Sequence, residues 1–443
     1  MTAPPSSLAS QRPSWREASG VWARIGVLSF GGPAAQIALM HRMLVEERGW
    51  LAEKRFMEAL SFCMLLPGPE AMQLATYAGW RLHGTRGGIV AGLLFVVPGA
   101  LVVLALAALY ATLGETPLVA TLFFGIKAAV LVIVLQALAR VASRALATGV
   151  HRLVAAFAFV ALFFLALPYP LLVAVAALVG VLGPATVGET TDAGGPGTSA
   201  EPFSRTTAVR PAATVRTVAT WLAIWWLPIL ALDLLVPVPI LAELARFFST
   251  LAVVTFGGAY AVLAYLAQDV VTGFGWVTAT EVMDALALAE TTPGPLILVT
   301  EFVGFLAAFR VGGLGLGLAG AAVTLWVTFV PCFLWIFAGA PYLERLSAAP
   351  RLRGALASIT AAVVGVMLNL SLWFALHALF GSVETARLGP LTLWVPELAT
   401  LDPRLALLSV VCAVLTFRYR WGVVGLIGFA AVAGALLRAV PSF

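Results

Sequence analysis

Long apolar stretches alternate with short polar segments along this chain, and the pattern predicts membrane helices. Four runs of 28 to 36 residues contain no charged side chain, at 87–114, 153–188, 311–343 and 354–383. A helix that spans a bilayer needs about 20 mainly apolar residues, so each run holds one or two spans. The runs lack the period-two alternation of a membrane β-barrel and are too long for its strands. We therefore expect an all-α polytopic membrane protein.

The apolar pattern predicts about thirteen segments, six in each half and one between them. They are 18–47, 53–83, 86–113, 118–140, 150–167, 170–187, 216–236, 243–268, 281–309, 312–338, 355–380, 404–418 and 421–440. The predicted organisation is a tail, a first membrane repeat, a linker, a connecting helix and a second repeat, at 1–17, 18–187, 188–215, 216–236 and 243–440. The linker is rich in Gly, Thr, Pro and Ser, which predicts a flexible cytoplasmic connection.

Three motifs occur twice at a constant spacing of 226 residues. They are Phe30-Gly31-Gly32 with Phe256-Gly257-Gly258, Gly49-Trp50 with Gly275-Trp276, and Pro67-Gly68-Pro69 with Pro293-Gly294-Pro295. One offset shared by separate motifs indicates two copies of one unit. Seven segments separate equivalent positions, and an odd number places the second copy upside down in the membrane. We therefore expect two inverted-topology repeats with broken or re-entrant helices.

The duplicated Gly and Pro motifs are the predicted substrate site. Broken helices are tolerated at membrane depth only where protein or a water-filled cavity surrounds them. Proline suits the start of a half-helix, whose free N–H groups and positive dipole end favour an anion. Ordinary kinks and close packing are the alternative, and duplication in register favours the site. The candidate residues are Gly31, Gly32, Pro33, Gln36, Pro67, Gly68, Pro69, Gln73, Gly257, Gly258, Thr292, Pro293, Gly294 and Pro295.

Lys127 is the remaining candidate for substrate binding, because it lies inside an uncharged run away from either end. A cation within a span usually faces a cavity or an opposite charge. The equivalent residue in the second copy is Thr360, so the two halves are not chemically symmetric. The alternative is a structural lysine that pairs with a nearby acid or extends to the interface.

Four acids are candidates for proton coupling. Glu58 and Asp284 are 226 residues apart and lead into the two Pro-Gly-Pro motifs, and Glu70 and Glu290 flank those motifs. A carboxyl group in a low-dielectric site can exchange protons near neutral pH. The alternatives are that Glu58 and Asp284 lie near a helix end in water, and that Glu70 only complements a helix N-terminus.

Charge and cysteine usage narrow the function further. With the N-terminus in the cytoplasm, fifteen Lys and Arg residues lie on the inner side and nine on the outer side. This positive-inside bias explains the net charge of +5 without a nucleic-acid partner. The main exception is the loop 42–55, which changes sides if the first two segments are re-entrant hairpins. No removable signal peptide is indicated, and the three dispersed cysteines predict packing residues rather than a metal or redox site.

The motifs resemble the chromate ion transporter family in its long two-domain form. The matching residues of the first half are Phe30-Gly31-Gly32-Pro33, Gln36, His41, Glu46, Trp50, 64–70 (MLLPGPE) and 73–77 (QLATY); those of the second are 290–295 (ETTPGP) and 302–305 (FVGF). The chain departs from the family pattern at Ala259, where a proline is expected, and at Gly99, where Pro98 is expected to precede a serine.

The resemblance implies a chromate exporter of the bacterial cytoplasmic membrane. No ATP-binding motif is present, so we expect secondary transport by alternating access, driven by protons or the membrane potential, with a proton antiporter as one form. The open alternatives are a permease for sulfate or another oxyanion and, less favoured, a membrane-embedded redox enzyme. The expected partners are chromate or sulfate, protons, the lipid bilayer and, as an alternative, a second copy in a homodimer. No cofactor, metal or nucleic acid is expected.

Overall fold

The computed structural model describes residues 13–113, 116–183, 211–256, 259–343, 349–389 and 391–439. This part of the chain is almost entirely helical. Its α-helices are α1 (Trp15–Leu28), α2 (Gly32–His41), α3 (Glu53–Cys63), α4 (Glu70–Leu113), α5 (Pro117–Ala145), α6 (Gly149–Phe163), α7 (Tyr169–Leu182), α8 (Pro211–Leu235), α9 (Pro239–Val254), α10 (Ala259–Gln268), α11 (Ala279–Thr291), α12 (Val299–Gly339), α13 (Pro350–Leu379), α14 (Pro403–Phe417) and α15 (Val423–Ala439). Five helices are long and apolar enough to cross a membrane. The protein is an all-α polytopic membrane protein.

Local sequence signals account for many helix starts. The Ser14 hydroxyl accepts a hydrogen bond from the Glu17 N–H at 3.2 Å and caps α1. Thr278 and Glu281 form a reciprocal capping box at the start of α11. Prolines occupy the first turns of α5 and α13, where the missing N–H has no cost.

The long helices α4 and α12 each contain a reversal of chain direction. Gly84 has φ 68° in α4, and Gly313 has φ 71° in α12, and glycine adopts this left-handed backbone without a steric penalty. After the turn the limbs 70–82 and 85–113 lie against each other: a Cβ at Gly79 would lie 2.4 Å from the carbonyl oxygen of Gly87. Gly304 and Gly320 make the equivalent approach in α12. Each of these helices is therefore a short limb and a long limb joined by a tight turn.

The predicted segments 18–47 and 53–83 are both hairpins that enter and leave at one face. Arg48, after α2, binds Glu17 at the start of α1 with N–O 2.8 Å. His83, at the end of the short limb of α4, bonds to the carbonyl oxygen of Pro13 at 2.9 Å. We call this the N-terminal face. Both segments are therefore helical hairpins in the structure, and the loop 42–55 with its four cations lies at the N-terminal face.

The second half repeats this arrangement at the opposite face. Arg310, at the end of the short limb of α12, bonds to the carbonyl of Trp276 and to the carboxylate of Glu281. The ring of Phe247 in α9 lies 5.3 Å from that of Phe274, so α9 and the chain after α10 return to one place. Both predicted segments 243–268 and 281–309 are thus hairpins as well.

Equivalent long limbs run antiparallel in the centre of the molecule. The Phe337 ring lies against Gly88, and the Phe333 ring lies against Gly92, so the start of one limb meets the end of the other. Outside this pair, α6 and α7 pack on α13, while α14 and α15 pack on α5. Each half therefore covers the other half with its last two helices.

Two elements differ from the sequence prediction. Helix α8 begins at Pro211, within the predicted linker 188–215, and the rest of that linker, 188–210, lies outside the described residues. An antiparallel hairpin of β1 (Val383–Leu388) and β2 (Leu391–Pro396) follows α13, and Thr392 donates to the Phe164 carbonyl at the tip of the α6–α7 pair. We predicted no strand, because membrane helices dominate the apolar signal.

Candidate functional site

The helix breaks of the two halves meet, and a reciprocal pair of backbone hydrogen bonds joins them. The N–H of Gly68 donates to the carbonyl of Thr255 at 2.8 Å, and the N–H of Gly294 donates to the carbonyl of Ser29 at 2.9 Å. Both donors and both acceptors are 226 residues apart. The hairpin tips from opposite faces therefore cross in the interior, and we call this place the crossing.

Two buried glutamines hold the crossing on the side of the first half. The amide nitrogen Nε2 of Gln36 donates to the carbonyl of Gly294 at 2.7 Å, and Nε2 of Gln73 donates to that of Pro67 at 2.7 Å. The side-chain oxygen Oε1 of each glutamine is buried and accepts no hydrogen bond from the described residues. Because buried polar atoms normally have partners, these two oxygens have the environment of groups that bind water or a ligand.

Small residues from the long limbs close the crossing from the sides. A Cβ at Gly99 in α4 would lie 2.2 Å from the carbonyl oxygen of Pro293. A Cβ at Gly68 would lie 2.9 Å from Sγ of Cys332 in α12. Gly68 and Gly294 have φ of 118° and 93°, a backbone that favours glycine. The two Pro-Gly-Pro motifs are therefore packed too tightly for side chains.

The start of α2 is the open end among the described breaks. Gly31 has φ 83° and is exposed, and no side chain caps the helix. The first turn therefore presents the N–H groups of Gly32, Ala34 and Ala35, while Pro33 has none. Gly257 and Gly258, the equivalent pair, lie outside the described residues. By contrast Thr292, Gly294 and Pro295 are buried.

Lys127 lies in a second polar cluster, away from the crossing. Its ammonium group bonds to the Thr280 hydroxyl at 3.3 Å, at the start of α11. One carboxylate oxygen of Asp284 accepts from the Tyr110 hydroxyl at 2.8 Å, and the other has no hydrogen-bond partner among the described residues. From Thr280 to Thr292 the helix rises about 18 Å at 1.5 Å per residue. The structure thus brings Lys127 and Asp284 together and separates both from the glycine motifs.

The other candidate acids have different surroundings. Glu58 pairs with Arg55 at 3.0 Å and is partly exposed. Glu70 is the first residue of α4, next to the break, and Glu290 is buried in the last turn of α11. Glu301, in the short limb of α12, is wholly buried, and both of its carboxylate oxygens are without partners in the described structure.

Sequence reasoning missed several residues of these two places. Ser29 occupies the position equivalent to Thr255 at the common offset of 226, so the internal repeat could have identified it as a site residue. Gly99 and Cys332 follow Pro98 and Pro331, the prolines within the long limbs, which mark where these limbs pass the breaks. For Tyr110 the sequence shows only a single hydroxyl within an uncharged run, which does not identify it as a site residue. These contacts join elements far apart in sequence, so spacing alone does not reveal them.

Comparison with known proteins gives a family for both halves of the chain. A family model described as "Chromate transporter" matches residues 17–181 and 242–435. The "Chromate transport protein" of Pseudomonas aeruginosa is 32% identical over 349 residues, which cover 78% of this chain and 77% of that protein. The protein of the same name from Cupriavidus metallidurans is 30% identical over 356 residues, with 78% of each chain covered.

A further relative is less than 30% identical to this chain. The "Probable chromate transport protein" of Synechococcus elongatus is 28% identical over 368 residues, which cover 80% of this chain and 83% of that protein. No solved structure matches the chain. The family match covers both repeats and excludes only the tails, the linker and the connecting helix. The chain therefore belongs to the chromate transporter family and is a membrane transporter, not an enzyme.

Proposed function

We propose that this protein exports chromate from the cytoplasm by alternating access, with the substrate bound at the crossing. The observation that carries the proposal is the reciprocal pair of hydrogen bonds from Gly68 to Thr255 and from Gly294 to Ser29. Irregular backbone at membrane depth is characteristic of binding sites in secondary transporters built from inverted repeats. The antiparallel long limbs of α4 and α12 support such a pair. Chromate is the proposed substrate because the relatives from Pseudomonas aeruginosa and Cupriavidus metallidurans are chromate transport proteins.

The open start of α2 is the proposed seat for the anion. Chromate offers four oxygens and two negative charges, which suit the free N–H groups and the positive dipole end of a helix. The orphan oxygens of Gln36 and Gln73 are acceptors, so they suit bound water or a protonated form of the oxyanion. Glu70 occupies the start of α4, which leaves α2 as the better anion site among the described half-helices.

Lys127 is proposed to guide the anion at the face opposite the N-terminus. The group is half-buried between α5 and α11, and it is close enough to Asp284 for electrostatic interaction. An anion that passes along this path competes with Asp284 for the lysine. Such an exchange couples substrate movement to the protonation of a carboxyl group, as proton antiport requires.

Asp284 and Glu301 are the proposed proton carriers favoured by the geometry. A buried carboxylate with an unsatisfied oxygen is costly, and Asp284 has one such oxygen and Glu301 two among the described residues. Each side chain therefore has the environment of a group that takes up and releases a proton. Glu70 and Glu290 remain candidates because they flank the breaks. Glu58 is the weakest, because it already pairs with Arg55 near water.

The membrane potential supports export as the proposed direction of transport. The re-entrant hairpins place the loop 42–55 at the N-terminal face, which increases the excess of Lys and Arg there and favours that face as cytoplasmic. An inside-negative potential favours exit of a dianion by about 2.3 kcal/mol per charge for each 100 mV. Export is therefore assisted by the potential alone.

Chromate flux in everted membrane vesicles tests this function. We expect accumulation that depends on a proton gradient or membrane potential, and loss of that accumulation when Gly31 or Gly68 is replaced by leucine. Vesicles with Gly20→Leu are the control, because a Cβ at Gly20 meets nothing within 4 Å. Flux of sulfate with no flux of chromate would replace the proposed substrate, and absence of flux for both anions would reject the proposal.

A further inference from the structure

A polar cavity outside the crossing remains unexplained by anion transport. It has a volume of about 270 Å³ and lies between α7, α10 and α13. Its polar lining consists of Tyr169, Tyr265, Gln268, Asp269 and Asn369. This volume is enough for several water molecules or a partly hydrated ion. The cavity is therefore a candidate for a second ligand.

Tyr169 presents an unsatisfied hydroxyl at this cavity. Its side chain is 1% exposed, and the hydroxyl has no hydrogen-bond partner among the described residues. Its ring stacks on that of Tyr265, with centroids 5.2 Å apart, which fixes the direction of the hydroxyl. Buried tyrosine hydroxyls usually find a partner, so this group has the environment of a ligand contact.

Asp269 supplies a negative charge without a protein cation. Its carboxylate accepts a hydrogen bond from the Tyr265 hydroxyl, and no Lys, Arg or His of the described residues pairs with it. It is the first residue of a π-helical turn, Asp269–Gly273, a distortion frequent at functional sites. A partly buried carboxylate in a membrane protein normally has a counter-charge. We therefore expect the counter-charge of Asp269 to be a cation that binds from solution.

The donor set points to a small monovalent cation. One carboxylate, two tyrosine hydroxyls and the amide oxygens of Gln268 and Asn369 are all hard oxygen ligands, which suit Na⁺ or hydronium and not soft metals. The single charge of Asp269 balances one positive charge. The same carboxylate repels an anion such as the transported oxyanion. Tyr169, Tyr265 and Asp269 are the titratable groups that line the cavity, while Gln268 and Asn369 are neutral.

The cavity lies near the face opposite the N-terminus, and its carboxylate has no equivalent in the first half. The Val270 carbonyl accepts a bond from Trp276, which also binds Arg310 at that face. In the first half the residue at the common offset of 226 from Asp269 is Met43, in the π-helical turn Arg42–Glu46, so no equivalent carboxylate is present there. A cation that enters from outside thus meets Asp269 before it reaches the hairpin tips.

We propose that this cavity binds the cation whose inward movement drives export, a role that rests on the proposed function. Occupation ties α10, which belongs to a hairpin of the crossing, to α7 and α13. The bound cation neutralises Asp269 and is coordinated by the otherwise unpartnered hydroxyl oxygen of Tyr169. Binding itself does not require chromate, so it is measurable separately.

The test uses purified full-length protein in detergent and radioactive Na⁺, with an organic cation that keeps the ionic strength constant. We expect saturable Na⁺ binding that Asp269→Asn abolishes and Tyr169→Phe weakens about three- to tenfold, through loss of one oxygen ligand. The matched control is Asp233→Asn, which removes an exposed carboxylate paired with Arg246 and should bind Na⁺ normally. The Tyr169→Phe variant retains the ring and is the check if Asp269→Asn folds poorly.

A second arm distinguishes hydronium from Na⁺. If no Na⁺ binds, the melting temperature should depend on pH differently in the native chain and in Asp269→Asn, since only the native chain exchanges that proton. Variants indistinguishable from the native chain in Na⁺ binding and in pH dependence would overturn the site. Cation binding with no chromate flux would reject the proposed function and leave the site intact.

Discussion

The two halves of the molecule share a backbone and differ in the chemistry attached to it. Gly68 and Gly294 both have positive φ, and the carbonyls of Leu44 and Val270 accept equivalent bonds from Trp50 and Trp276. The amides of the crossing, however, come from the first half alone: at the offset of 226, valines occupy the places of Gln36 and Gln73. Asp269 and Asp284 belong to the second half. Duplication has preserved the breaks, while their polar chemistry has diverged.

This difference indicates that the two halves bind different ions. The first half supplies the open start of α2 and the amides, which suit an oxyanion. The second half supplies unpaired carboxyl groups near the opposite face, which suit a coupling cation. Since each half contributes one type of site, neither half alone contains the proposed transport cycle.

Gly99→Leu should have the largest effect, because the new Cβ collides with the carbonyl of Pro293 in the other half. Overpacking of a well-packed interior costs about 1–3 kcal/mol, and more where the obstacle is backbone that cannot move aside. We expect loss of folded protein, measured by size-exclusion chromatography of detergent extracts. Gly428→Leu, at a position with no atom within 4 Å of a new Cβ, is the control. Normal yield and flux of Gly99→Leu would show that the long limb of α4 does not touch the second break.

Lys127→Ala should reduce flux about tenfold, equivalent to about 1.4 kcal/mol, because it removes the cation that interacts electrostatically with Asp284. The double variant Lys127→Ala with Asp284→Asn separates two roles. If the lysine only balances the charge of Asp284, Lys127→Ala should lose folded protein that the double variant regains. If the lysine binds the passing anion, as we propose, Lys127→Ala should keep its folded yield and lose flux. Unchanged flux in Lys127→Ala would remove this cluster from the pathway.

Gln36→Leu should lower stability by about 1–2 kcal/mol, since it deletes the bond between the halves at the Gly294 carbonyl. The readout is the melting temperature in detergent, with chromate flux measured in parallel. Gln136→Leu, on α5 and away from the crossing, is the matched control. A melting temperature equal to that of the control would indicate that the amide does not hold the two breaks together.

Arg48→Gln should have the smallest effect, because its ion pair with Glu17 is near the surface. Such pairs contribute about 0–1 kcal/mol. We expect a melting temperature within a few degrees of the native chain and normal flux. A large loss of flux would mean that the loop after α2 has a role beyond closing its hairpin.

The sequence predicts the class of fold and the breaks, and it fails where long-range contacts decide. The apolar runs and the constant offset of 226 are local or periodic signals, so they identify the helices and the duplicated motifs. They do not distinguish a span from a hairpin, because 18–47 is long enough for either. The bond between Arg48 and Glu17 decides that question.

The positions of the charged candidates were less predictable than the breaks. Lys127 and the Pro-Gly-Pro motifs are all unusual within apolar sequence. The sequence therefore predicts that they belong to one substrate site. Their separation follows from the direction of α11, whose start binds Lys127 and whose end forms a break. The spacing of residues in the sequence does not reveal the direction in which α11 runs. The cavity at Tyr169 and Asp269 joins three distant helices and was not predicted.

Labelling of two equivalent cysteines tests the central claim, that hairpins from opposite faces meet at the crossing. Glu47→Cys and Gly273→Cys are 226 residues apart, both are exposed, and the native cysteines are buried. An impermeant maleimide should label Cys at 47 only in everted vesicles and Cys at 273 only in right-side-out vesicles. Labelling of both positions from the same side would contradict the account.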